Sequence, residues 1–166
     1  MSRDAARLTR ALERSAGDLL AYLERRVGVD DAPDLLGETM VVAWRRVDVL
    51  PDDAERARMW LFGIARGMLL NHARGTRRRW ALADRIRLRA TEDLSAPAAD
   101  AGAEVRDAIA RLAPDEAEIV RLVHWDGFSL TDAAELLGIP ASTARGRYQR
   151  AKTELRVALS VEAPLA

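Results

Sequence analysis

Thr143, Arg145, Gly146, Gln149, Arg150 and Lys152 recur at spacings that put them on one side of a helix. Arginine and glutamine offer forked hydrogen-bond donors that match base edges in a DNA major groove. Thr143 and a helix N-terminus can hold a phosphate, and Gly146 lets the backbone come close. Ser142 stands beside this set and Arg147 adds another cation, so the candidate nucleic-acid-contacting residues are Ser142, Thr143, Arg145, Gly146, Arg147, Gln149, Arg150 and Lys152. The opposite side of the same stretch is apolar, with Ala144, Tyr148, Ala151 and Leu155 repeating at four, three and four residues.

That stripe needs a partner, and the preceding residues supply one. Ser129 can cap a helix with Asp132 reaching back to it, and Leu130, Ala133, Ala134 and Leu137 then share a face. Gly138 ends the element, and Ile139-Pro140 turns the chain into the next helix. Two short helices around a glycine-containing turn, with cations and amides outside the second, form a helix-turn-helix. The plainer reading is a helical hairpin with a solvated basic face.

A second group of polar residues lies upstream: Asn71, Arg74, Arg77, Arg78 and Arg79, followed by Trp80. Arginines there could neutralise a nucleic-acid backbone, or could simply complement the dipole at a helix C-terminus. They follow a helix expected from Arg58 to Arg74, in which Trp60, Ile64 and Met68 fall four apart beside Leu61, Ala65 and Leu69. So wide an apolar arc belongs at the centre of a bundle.

Composition sets the class. Hydrophobic residues make up 49% of the 166 positions but aromatics only 5%, so the core is aliphatic, and the Ala-, Leu-, Arg- and Glu-rich sequence predicts an all-α fold. Formal net charge is zero, yet the charges are segregated: 18 basic against 13 acidic residues over 1–90, 3 against 11 over 91–144, and 5 against 2 over 145–166. Two basic regions around an acidic middle suit a DNA binder that works when another protein spaces the two regions. There is no cysteine, which removes disulfides, thiolate metal sites and thiol catalysis. Neither His72 nor His124 has a carboxylate or serine constellation in sequence, so the reading is a non-enzyme without cofactor or metal. No signal segment or long apolar run appears, and the expected location is the cytoplasm, without membrane insertion.

In chain order, Leu8, Leu12, Ala16, Leu19, Leu20, Leu23 and Val27 predict one helix, or a broken pair with Gly17 at the weak point, closed by Gly28. A second helix is expected from Asp34 to Val47, with Leu36, Met40, Ala43 and Val47 facing the core. Periodicity fails between Thr91 and Ala103, which reads as a flexible acidic linker. Val105, Ile109 and Leu112 begin a new helix, and Pro114 opens the next, expected to run to Gly127. The organisation is two small helical domains, 1–90 and 104–166, joined by 91–103.

With both halves in view the chain resembles an extracytoplasmic-function sigma factor, a promoter-specificity subunit of bacterial RNA polymerase. The likeness rests on LLAYLERRVG, DAPDLLGETMVVAWRR and WLFGIARGMLLNHAR in the first domain, and on AIARLAPDEAEIVRLVHWDGFSLTDAAELLGIPASTARGRYQRAKTELR in the second. It implies a first domain that binds the clamp coiled coil of the largest polymerase subunit and engages and melts the element near −10. The second domain would bind the flap tip and read the element near −35. By the same resemblance, Asp34, Leu35, Glu38 and Thr39 match the clamp-binding helix. The loop from about Val47 to Ala57 matches the region that captures a base flipped from the non-template strand, and the linker acids Glu92, Asp93 and Asp100 would either mimic nucleic-acid charge inside the polymerase or serve as a solubilising spacer. An anti-sigma protein is a further implied partner. Glycine stands at 37, 67 and 146 where the family commonly has glutamine, asparagine and serine. Two alternatives compete: a stand-alone helix-turn-helix regulator, and a sigma-like decoy that sequesters an anti-sigma protein.

Overall fold

The computed structural model describes residues 3–84 and 102–161, with the side chains of 78–84 and 161 left aside. Every regular element among the described residues is helical, as the composition predicts. The chain divides into two compact units, Met1–Glu92 and Asp93–Ala166, each with its own core. The expected linker acids Glu92, Asp93 and Asp100 lie outside the described residues.

The first unit packs three helices against one another: α1 (Arg3–Val27), α2 (Ala32–Arg45) and α3 (Ala54–Asp84). α1 is one unbroken helix, with exposed Gly17 at a position that no neighbour crowds. Gly28 then adopts φ +86°, a left-handed conformation that a side chain would resist. Leu8, Leu19, Tyr22 and Leu23 of α1 meet Ala32, Leu35 and Ala43 of α2 and Leu61, Phe62, Ile64 and Ala65 of α3, all buried. Tyr22 and Phe62 touch edge to face with centroids 5.1 Å apart, a favoured aromatic geometry.

The buried stripe of α2 is Ala32, Leu35, Thr39 and Ala43, rotated from the expected Leu36, Met40, Ala43 and Val47; Leu36, Met40 and Val47 are only half-buried. Thr39 is accommodated on that stripe by its own helix. Its hydroxyl donates to the Leu35 carbonyl at 2.7 Å, so a residue that looks polar in sequence enters the core with its donor satisfied. A 3₁₀ turn, Val47–Val49, and a short loop then lead to α3. α3 starts before Arg58 and continues past Arg74, longer at both ends than the apolar arc alone indicates.

In the second unit α4 (Ala103–Arg111), α5 (Pro114–His124) and α6 (Leu130–Leu137) all contact α7 (Ala141–Val161). α5 stops at His124, short of Gly127, which takes φ +71° in the turn that follows. One cluster of the core joins Ile109, Leu112, Ala117, Val120 and Ala151; another joins Ile119, Ala134 and Ala144. Tyr148 packs against both, and Leu155 against the first, so the apolar stripe read from the sequence is the seam of this unit.

Candidate nucleic-acid interface and polymerase-facing surface

The helix-turn-helix forms from local chemistry. Ser129 caps α6: its Oγ accepts from the Asp132 backbone N–H at 3.1 Å and donates to the Asp132 carboxylate at 2.6 Å. Gly138 closes α6 in the left-handed region at φ 67°, ψ 34°, with its N–H donating to the Ala134 and Glu135 carbonyls. α7 then starts at Ala141 with Ala144 and Ala151 fully buried and Tyr148 packed inward between them, which sets a fixed register for the residues on the other side of the helix.

That register sorts the candidate contacts into unlike groups. Ser142, Arg145 and Gln149 are exposed, and the Arg145 and Gln149 side chains make no hydrogen bond or ion pair with other described residues. Thr143 and Gly146 are half-buried. Lys152 is exposed, its ammonium 5.5 Å from the centroid of the Tyr148 ring. The other two arginines are tied to the first turn of α5. Arg147 Nη2 lies 2.9 Å from Asp115, and Arg150 Nε donates to Glu116 Oε1 at 2.8 Å. Sequence reasoning missed Asp115 and Glu116 as members of this surface. Partners 32 and 34 residues apart leave no periodic signal.

At the far side of α5 the His124 ring stacks on Tyr148, centroids 5.8 Å apart, with its Nε2 2.9 Å from the Tyr148 hydroxyl. His124 is thus a helix-end residue engaged with α7.

In the first unit the four residues matched to the clamp-binding helix separate into pairs. Asp34 and Glu38 are exposed, whereas Leu35 is 4% and Thr39 0% exposed. Leu35 and Thr39 lie on the buried stripe and hold α2 in the bundle, so of the four matched residues only Asp34 and Glu38 turn their side chains to the surface. The exposed side of α2 instead continues through Gly37 to Val41 and Trp44, which are 50% and 58% exposed. Continuing the Asp34, Glu38 spacing by three and six residues would have found them.

The loop ahead of α3 borders a groove of about 650 Å³, walled by Arg7, Arg10 and Arg14 of α1, by Leu50 to Asp52, and by Glu55 and Arg58. Arg7 pins that loop, its Nη2 donating to the Leu50 carbonyl at 2.8 Å and lying 2.6 Å from Asp52. Arg58 reaches back to Asp18 at 3.5 Å. Gly67 is not part of the groove wall. Further along α3, Asn71 accepts a hydrogen bond from Arg74, both exposed, and Arg77 Nε donates to the Ala73 carbonyl at 3.3 Å. The helix continues through Arg78 and Arg79, whose side chains lie outside the described ones. No helix among the described residues is long and apolar enough to cross a membrane.

Comparison with known proteins assigns both units. Residues 11–79 match sigma-70 region 2, and residues 102–155 match sigma-70 region 4. The chain is 30% identical over 159 residues to the ECF RNA polymerase sigma factor SigL of Mycobacterium tuberculosis, an alignment covering 93% of this chain and 90% of the relative. It is 32% identical over 158 residues to SigC of the same organism, covering 88% and 78%. Among solved structures it is similar to the sigma factor RpoE from Bartonella quintana, crystallised with the anti-sigma factor NepR, at a TM-score of 0.73 and 25% identity over 93% of this chain and 97% of that one. The chain belongs to the extracytoplasmic-function sigma factors, which direct RNA polymerase to promoters.

Proposed function

We propose that the two units divide promoter reading between them, the first docking on the polymerase clamp and capturing a −10 base, the second reading the −35 element. The observation that carries this is the outer face of α7, where Arg145 and Gln149 stand exposed with no partner among the described residues. An arginine whose fork is unoccupied can meet guanine O6 and N7, and a glutamine can meet adenine N6 and N7. Ser142 and Thr143 near the start of α7, with Lys152 further along, are suited to phosphates, which position the helix without specifying sequence.

On the first unit, Asp34 and Glu38 precede Val41 and Trp44 on the exposed side of α2, a combination of acids with exposed apolar surface that fits a protein partner better than DNA. Docking on the clamp coiled coil is assigned to this face. An anti-sigma protein would compete for it, as suits a relative crystallised with one. The groove beside Leu50 to Asp52 is assigned to the extruded base, because it offers both donors and carboxylate acceptors next to the loop that the family resemblance marks. Capturing a base costs a few kcal/mol of unstacking, offset by pocket contacts and by cations along the strand, here Arg74, Arg77, Arg78 and Arg79 with Asn71.

A stand-alone regulator leaves the first unit without a role, and the region 2 match over 11–79 gives it one. The test is reconstitution with core RNA polymerase, selection of promoters from random DNA, and run-off transcription on the winners. Enrichment of paired −35 and −10 elements with transcript is the expected result. Tight specific binding without polymerase would favour the regulator, and core binding without any transcript would favour the decoy.

A further inference from the structure

Arg150 and Arg147 both sit near α5, but their guanidinium groups are held differently. Arg147 is 26% exposed and spends Nη2, part of its outer fork, on Asp115. Arg150 is 63% exposed and is held through Nε, the inner nitrogen, which leaves both terminal nitrogens without a partner among the described residues. The carboxylate that holds it is only 9% exposed, at the start of α5 in the first helical turn, where a negative charge is also favoured by the helix dipole. A buried carboxylate whose hydrogen-bonded partner is a single arginine is a fixed point. The guanidinium also lies back along α7, with Nη1 3.7 Å from where a Gly146 Cβ would be.

We infer that Glu116 is a positioning residue for promoter recognition: it fixes the Arg150 guanidinium so that its free fork is presented to one −35 base pair, whereas Arg147 is withdrawn from base reading by Asp115. An arginine on a flexible stem loses rotamer freedom when it binds; one already oriented loses less, and gains in angular selectivity for the bidentate geometry of guanine. Glu116 touches no DNA in this scheme and acts only through Arg150. The inference rests on the reading of α7 as the −35 helix.

The test uses the full chain in holoenzyme, on promoters that the wild-type holoenzyme selects from random DNA. Glu116→Gln, Arg150→Ala and the double variant are compared for discrimination between the preferred −35 sequence and each single base-pair change. Glu116→Gln is expected to lower discrimination at one base pair by roughly 3- to 10-fold, with Arg147→Ala leaving every position's ratio within about 2-fold. In the Arg150→Ala background, Glu116→Gln should add nothing at that base pair. Thermal melting and initiation on a template carrying only the −10 element are measured in parallel, and both should stay near wild type for Glu116→Gln. Equal losses in both backgrounds, or a loss spread evenly over all positions, would overturn the positioning role, as would no loss at all. If the wild-type holoenzyme selects no −35 element, the reading of α7 fails instead, and the two failures are distinct.

Discussion

α2 and α7 each present an outward face, and the two faces are opposite in kind. α2 offers Val41 and Trp44 beyond the acids Asp34 and Glu38, large apolar area left in water. α7 offers Arg145, Gln149 and Arg150, polar groups that are strongly hydrated until something replaces the water. The first kind of surface gains by burial, is insensitive to salt and concentrates its energy in a few aromatic anchors. The second gains through released counterions and base-edge hydrogen bonds, and weakens steeply as salt rises. One chain thus carries two outward faces suited to unlike partners, a protein and a nucleic acid, on helices that are both packed in small bundles.

The strongest way to break the comparison is to show that the inward side of α2 is the binding side. Leu35→Ala should cost about 2–5 kcal/mol of folding stability, the range for emptying a buried leucine, and should weaken polymerase binding only as far as it unfolds the chain. Thermal melting beside a core-binding titration separates these: lost affinity at unchanged melting temperature would return Leu35 to the interface. Trp44→Ala is the mirror case. With the side chain more than half exposed, folding should change by less than about 0.5 kcal/mol, whereas core affinity should fall by about 2 kcal/mol or more, alike in low and high salt. Fluorescence anisotropy of labelled chain against core polymerase reads it. A Trp44→Ala protein that binds core as tightly as wild type would remove this face from the docking scheme.

On α7, Arg145→Ala should cost roughly 1–3 kcal/mol at the preferred −35 sequence and far less on scrambled DNA. Equal loss on both, with the salt slope reduced by about one, would make Arg145 a phosphate contact.

Much of this architecture was legible in the order of the residues. The all-helical class, the seam of Ala144, Tyr148, Ala151 and Leu155, and the Ser129 cap with its Gly138 stop are local or periodic signals, and the structure follows them. The orientation of α2 was not legible, because its core contains a threonine whose hydroxyl is satisfied by its own helix. Nor was the fate of Arg147 and Arg150, since the acids that hold them come from another helix. The same holds for Arg7, which fixes the loop at Leu50 from 43 residues away. Spacing reveals which side of a helix a residue occupies; it does not reveal what long side chains on that side find across a gap.

The smallest expected effects come from a pair of glycines, one on each outward face. Gly37 on α2 has nothing within 4 Å of where a Cβ would stand, and Gly146 on α7 has only the Arg150 guanidinium, at an ordinary contact distance of 3.7 Å. Neither takes a positive φ, so alanine fits both backbones and should raise stability by about 0.5–1 kcal/mol through helix propensity. Binding should separate them. On α2 an added methyl extends an apolar surface, so Gly37→Ala should bind core polymerase as well as wild type or slightly better. On the −35 reading of α7 the glycine is the position at which backbone can approach base edges, and an added methyl would fill that space beside the guanidinium that Glu116 is inferred to orient. Gly146→Ala is therefore expected to melt higher yet read the −35 element less well, by a few fold. Gains in both stability and −35 affinity would mean that Gly146 serves no close approach, and that the outward face of α7 tolerates bulk as readily as that of α2.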